Sequence, residues 1–218
     1  MKQNKKILRK KIFKLVNKEL KKIYPQIKIA LNFSNQWELL VATILSAQTT
    51  DKKVNEITEK LFKKYKTLDD YLKADLKEFE KDIKGVNYHK NKARFILEDA
   101  KIIKEKFNGK VPNKLEELLE LKGVARKTAN IVLSVGYNIY EGIPVDTHVR
   151  RLSQVLKLTD EKKPEKIEKD LMEIIPKGKE WIEFPLRLIQ YGRDFCPAKK
   201  HNHEKCPLTK LLKKIGVK

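Results

Sequence analysis

Apolar residues recur at intervals of three and four along nearly the whole chain, and no convincing stretch alternates with a period of two. The clearest stripes are Leu8, Ile12, Leu15 and Val16, then Val54, Ile57, Leu61 and Phe62, then Phe95, Ile96, Ile102 and Ile103. A period near 3.6 lays such residues on one face of a helix, whereas a half-buried strand turns every second residue inward. The chain is thereby restricted to packing helix on helix, an all-α architecture. Asp51, Asp69, Asn113 and Asp146 can each cap a following helix, while Gly85, Gly109, Gly123 and Gly142 stand where helices should stop. The pattern predicts helices near 7–23, 36–47, 51–65, 75–83, 88–107, 114–121, 126–138, 145–157, 164–175 and 179–192. Pro185 should kink the last of these or divide it in two.

At 218 residues the chain can bury one substantial core or split into two helical lobes. Lys and Arg number 50 against 29 Asp and Glu, a formal charge of +21 spread from Lys2 to Lys218. Such an excess favours a polyanionic partner through phosphate contacts and counterion release, although a solvated lysine-rich surface gives the same count. The N-terminal helix has the same two readings, a basic arm on DNA or an amphipathic helix packing its stripe, and packing is the one expected. No run of about 18 apolar residues exists. The segment Met1 to Lys22 lacks the apolar stretch and cleavage site of a secretory signal. A soluble, cytoplasmic and nucleoid-associated protein with no membrane association is expected. Two cysteines, Cys196 and Cys206, cannot form a disulfide framework and fit a reducing compartment.

The most informative stretch runs from Leu115 to Val135. An apolar helix ends at Leu121-Lys122-Gly123-Val124-Ala125, and a second begins at Arg126-Lys127-Thr128-Ala129-Asn130. Gly123 permits a backbone turn that other residues resist, and amides at the start of the second helix can point at a phosphate. Such a hairpin grips backbone rather than bases, though a single Gly turn between helices is more often only a turn. Its context narrows the reading. It is followed by Val145-Asp146-Thr147-His148-Val149-Arg150-Arg151, preceded by Leu45-Ser46-Ala47-Gln48-Thr49-Thr50-Asp51, and joined downstream by Tyr191-Gly192-Arg193.

These four motifs, in this order, resemble the endonuclease III family of helix-hairpin-helix DNA glycosylases, over a span from about Asn32 to Leu208. The resemblance implies two helical lobes with DNA in the cleft between them. Residues 29–139 would form a helical barrel carrying the hairpin (about 114–138), and residues 1–28 with 140–218 a second helical domain. It implies a bifunctional DNA glycosylase and abasic-site lyase of base excision repair, acting on oxidised pyrimidines. Lys127 matches the family's catalytic lysine and Asp146 its catalytic aspartate, the two facing each other across the cleft. An amine can attack the sugar C1′, expel the base and form a Schiff base from which β-elimination cleaves the strand, which an alcohol cannot do. The amine must be neutral to attack, so Lys127 is expected in a partly desolvated, cation-rich niche. Asp146 would stabilise the cationic sugar, whether or not it also caps the helix beginning at Thr147.

A base to be excised must leave the stack, and protein must fill the gap. By the resemblance Gln48 enters that gap, and the loop Gly85-Val86-Asn87-Tyr88-His89 supplies the wedge. The loop is roughly two residues longer than the family pattern, which leaves Val86, Tyr88 and His89 all open as the intercalating residue. Further DNA contacts would come from Gly123, Ala125, Arg126, Thr128 and His148. The partner is double-stranded DNA with damaged bases or abasic sites, met by a monomer. Two other readings stay open: a monofunctional mismatch glycosylase of the same superfamily, and a non-catalytic DNA-binding relative. The first generally lacks a lysine at this place, and the presence of both Lys127 and Asp146 argues against the second.

The C-terminus departs from the family. Many relatives carry four cysteines there that ligate a [4Fe–4S] cluster. Here Cys196 and Cys206 occupy the first and third places, His203 stands at the second, and Leu208 to Lys218 offers no fourth. A degenerate iron-sulfur motif and a protein without cofactor are therefore expected. Zinc on Cys196, His201, His203 and Cys206 is the alternative, weakened by the single residue between the histidines. In the hairpin, Lys122 and Ala125 replace a common proline and glycine, and the alanine is tolerable if its φ is negative.

Overall fold

The computed structural model describes residues 2–199 and 201–217. All regular structure among them is helical, with one isolated bridge between Lys84 and Val86. The chain forms two compact units, Ala30–Glu141 on one side and Met1–Ile29 with Gly142–Lys218 on the other.

In the first unit, α2 (Gln36–Ser46) is the central helix: every residue from Glu38 to Leu45 is buried. A helix apolar all round can only sit inside. Around it lie α3 (Asp51–Lys64), α4 (Leu68–Leu72), α5 (Leu76–Asp82), α6 (His89–Lys106), α7 (Leu115–Leu118) and α8 (Arg126–Ile131), the last continuing as a π-helical turn over Val132–Gly136. Tyr65, Tyr71 and Phe79 meet edge-on or tilted with ring centroids 5.2–5.7 Å apart, and Trp37 adds a T-shaped contact of 5.0 Å to Tyr71. These aromatics close the core that the aliphatic stripes begin.

The second unit contains α1 (Lys2–Ile23), α9 (Thr147–Val155), α10 (Pro164–Ile174), α11 (Glu180–Asp194), a 3₁₀ turn (His203–Lys205) and α12 (Pro207–Lys214). The N-terminal helix packs: Ile12, Phe13, Val16 and Leu20 are buried, with Phe13 edge-on to Phe184 at 5.1 Å. Its cations pair outward, Arg9 bridging Asp160 (2.9 Å) and Asp170 (3.0 Å).

Four expectations change. The 68–72 helix was not foreseen, because five residues are too few to show a period; a capping box between Thr67 and Asp70 starts it, in place of a cap at Asp69. Likewise Thr50 caps α3 one residue ahead of Asp51, and Lys114 rather than Asn113 precedes α7, whereas Asp146 does cap α9. The 207–214 helix was also missed, although Leu208 and Leu212 carry a buried stripe. Finally, α11 is one continuous helix containing Pro185, so the division in two does not occur. The proline withholds only the bond to the Trp181 carbonyl, and burial of Phe184, Leu188 and Tyr191 holds the helix together.

Candidate functional site

The hairpin is a turn braced from behind. Gly123 has φ +71°, and a Cβ there would lie 2.9 Å from the ring of Phe95, so both conformation and space demand glycine. The backbone N–H of Lys122 donates to Asp99 Oδ1 at 2.6 Å. Asp99 is wholly buried, and its Oδ2 has no hydrogen-bond partner among the described residues. Burial, offset in part by the Lys122 bond, pushes its carboxyl up to about 7. Val124 is buried while Gly123, Ala125, Arg126 and Lys127 are exposed and Thr128 half-buried. Ala125 precedes the helix at φ −88° and ψ 169°, an extended conformation that alanine adopts without strain, and it offers no side-chain cap. Lys127 stands in the first turn of α8 and is exposed. The desolvated niche expected for it is not built by the helix on which it sits.

A second surface of the same unit joins the proposed plug to the proposed wedge. Gln48 follows α2 at φ +56° and Tyr88 precedes α6 at φ +58°, both in the left-handed region that costs a side chain about 1 kcal/mol or more. Asn87 ties them. Its backbone N–H donates to Thr49 Oγ1 at 3.1 Å, and its side-chain amide donates to the Gln48 carbonyl. Lys92, only 5 % exposed, donates to the carbonyls of Leu45 (2.8 Å) and Ala47 (2.6 Å) at the end of α2. Burial lowers its ammonium to about 8. Of the loop residues, Val86 is 3 % exposed and faces the core, His89 is half-buried, and Tyr88 is 64 % exposed. Tyr88 is the most exposed of the three.

Asp146 belongs to the second unit, where it is the N-cap of α9. Its Oδ1 accepts from the Val149 N–H at 2.8 Å, leaving Oδ2 outside that bond on a half-exposed residue. His148, the second residue of α9, lies against α11 so closely that a Cβ on Gly192 would come within 2.7 Å of its Nδ1. That contact accounts for the glycine of Tyr191-Gly192-Arg193.

The expectation of a protein without cofactor is overturned at the C-terminal loop. Cys196, His201, His203 and Cys206 bring their donor atoms within 4.8 Å of one another, a group able to hold a metal ion. Cys196 Sγ lies 3.4 Å from His203 Nδ1, and Cys206 Sγ 3.3 Å from His201 Nε2. Both sulfurs are buried. Without a metal, burial and then the neighbouring Cys196 push the Cys206 thiol up to about 11. Burial, His201 and Arg151 hold His203 below its usual range, which favours the neutral ring.

Several residues that shape these sites have no role of their own in the sequence reading, namely Lys92, Asp99, Asn87 and Arg151. For the first two a signal existed: Lys92, Ile96, Asp99 and Ile103 follow one another at intervals of four, three and four, which places both charges on the buried face of α6. A charge on an apolar stripe is a buried group with a task. Asn87 and Arg151 carry no such mark.

Residues 41–177 match the model of the HhH-GPD superfamily base excision DNA repair protein family. Endonuclease III of Synechocystis sp. is 45% identical over 192 residues, covering 88% of this chain and 87% of its own length. Among solved structures, a non-covalent endonuclease III–DNA complex is similar with a TM-score of 0.87 and 40% identity, covering 96% of this chain and 99% of that one. A trapped endonuclease III–DNA covalent intermediate follows with a TM-score of 0.85 and 41% identity, covering 91% and 93%. With its braced hairpin and matching fold, the chain belongs to the endonuclease III family of the HhH-GPD superfamily.

Proposed function

We propose that this protein is a bifunctional DNA glycosylase and abasic-site lyase of base excision repair, with Lys127 as nucleophile and Asp146 as its carboxylate. The observation that carries the reading is the exposed primary amine of Lys127 on the helix leaving the hairpin. It stands in a chain 41% identical to an endonuclease III caught in a covalent intermediate with DNA. The neutral amine attacks C1′ of the damaged nucleotide, the C1′–N bond breaks, and the base leaves with its electron pair and a proton. Ring opening gives a Schiff base, a proton is lost from C2′, and the 3′ phosphate departs by β-elimination. The carboxylate of Asp146 balances the positive charge that builds on the sugar as the base departs. The hairpin amides at Gly123 and Ala125, with Arg126 and Thr128, take the phosphate backbone, and His148 adds a contact from α9. Gln48 fills the vacated gap, and Tyr88 is the wedge, the residue of its loop that stands clear of the core. Oxidised pyrimidines are the substrate class we infer, on genomic DNA inside the cell, with one chain as the working unit. No helix among the described residues is long and apolar enough to cross a membrane.

Borohydride reduction in the presence of an abasic duplex tests the mechanism, since only a Schiff base is trapped as a covalent adduct. Wild type should be trapped and Lys127→Ala should not; undiminished trapping of the variant would dismiss the nucleophile. Asp146→Asn keeps the oxygen that caps α9, because asparagine caps as well as aspartate. It should fold as wild type while turnover falls by about 10²-fold or more, the usual scale for losing a positioned acid–base group.

A further inference from the structure

The four-cysteine cluster of the family does not fit this chain. Of the four thiolate places one holds an imidazole and one has no cysteine, and the donor atoms of Cys196, His201, His203 and Cys206 lie within 4.8 Å of one another. A four-iron cluster interposes several iron and sulfide ions between its ligands and must hold them further apart than a single ion does. We propose that Cys196, His201, His203 and Cys206 bind one tetrahedral zinc ion, which replaces the cluster as the fastener of the C-terminal loop.

The geometry suits one ion. Zn–S bonds of about 2.3 Å and Zn–N bonds of about 2.0 Å in a tetrahedron set neighbouring donor atoms roughly 3.3–3.8 Å apart. The two thiol–imidazole pairs already stand at 3.4 and 3.3 Å. The tight His-x-His spacing, the weak point in the sequence, is resolved by the use of different nitrogens. His201 points Nε2 inward and His203 points Nδ1, so two rings with centroids 4.3 Å apart and tilted by 59° reach the same point. The remaining nitrogen of His201 is committed as well: Nδ1–H donates to the Lys199 carbonyl at 2.8 Å, which leaves Nε2 as a lone pair. A ligating histidine fixed by a backbone carbonyl through its other nitrogen is the usual outer support of a metal site. Arg151 supports the opposite side, donating to the Cys196 carbonyl at 2.6 Å and to its sulfur at 3.5 Å. On binding, each thiol releases its proton, so two thiolates neutralise the dication. Two sulfurs and two imidazole nitrogens in a tetrahedron are a zinc set, and zinc carries no electron. The loop is thus a structural, redox-inert fastener.

Metal analysis of the full untagged chain, with acid-labile sulfide, is the test. Equimolar zinc without sulfide is expected; iron with sulfide, or no metal near one per chain, overturns the proposal. Cobalt(II) exchanged for the zinc should give the intense visible bands of a tetrahedral ion and a thiolate-to-cobalt charge-transfer band, whereas the weak spectrum of octahedral cobalt counts against the site. Cys196→Ser should lower bound zinc at least tenfold. Because that variant can also fail to fold, His203→Cys provides the second arm. It keeps four donors, should retain the metal, and should raise the charge-transfer band roughly 1.5-fold as thiolates go from two to three. An unchanged band would place His203 outside the coordination sphere, and loss of cobalt binding would count against a four-donor site that a third thiolate can complete.

Discussion

The hairpin at 119–125 and the loop at 195–206 are both irregular backbone between helices, yet they are held by opposite means. In the hairpin the fixed points lie behind the turn: Phe95 closes on Gly123, Asp99 takes the Lys122 N–H, and Val124 enters the core. The outer residues of the turn, Gly123, Ala125 and Arg126, stay exposed, as a phosphate grip requires. In the C-terminal loop the fixed points are side-chain donor atoms aimed at one another, and the described residues between the two buried cysteines are exposed or half-buried. A surface that must meet a ligand is braced by packing and backbone bonds, whereas a stretch that only has to hold its place can be fastened through its side chains.

The contrast can be broken in four ways. Withdrawing the metal with a chelator should cut amide protection across 196–206 by roughly 100-fold while Leu121 to Ala125 keep theirs, as read by hydrogen exchange. Equal loss in both would erase the distinction. Gly123→Ala should cost about 2–3 kcal/mol in a urea melt, from the left-handed φ and the contact with Phe95 together. In a Phe95→Leu background the steric share should fall and about 1 kcal/mol of the conformational share remain.

Asp99→Asn sharpens the comparison through pH. The folded carboxyl titrates at about 7, above the unfolded value near 3.9, so the folded state holds a proton that the unfolded chain releases between those limits. This contribution is full below the window and is lost as pH rises through it. Asparagine still accepts the Lys122 N–H but does not ionise, so the decline should flatten, and at pH 8 the variant should gain about 1–2 kcal/mol on wild type, less the cost of burying its amide. A slope unchanged in denaturation across that pH range would remove Asp99 from the account. The smallest effect is expected from Ala125→Ser, which supplies α8 with the cap it lacks. Stability should rise by about 0.5–1 kcal/mol, seen in Tm, while duplex affinity falls because the new oxygen competes with phosphate for the same amides.

Much of this was readable in the residues. The stripe of α6, the cap at Asp146 and the glycine of the hairpin are local rules, and local rules survive in a string of letters. The 68–72 helix was hidden because its start lies in the reciprocal Thr67–Asp70 bonds and its length shows no period. The 207–214 helix was overlooked although Leu208 and Leu212 are spaced for it, because the cysteine count drew the reading toward a tail without a metal. That error had a physical source: spacing along the chain does not reveal which nitrogen of a histidine turns inward. Val86 and Tyr88 likewise look equally able to wedge until folding buries one and presents the other.

Asn87 has one more implication. Because the residue next to Tyr88 bonds the Gln48 carbonyl and the Thr49 hydroxyl, two left-handed backbones from separate turns are held as one unit rather than as independent fingers. Inserting or deleting a residue between Gly85 and His89 would disturb both at once, so this short span tolerates changes of letter far better than changes of length.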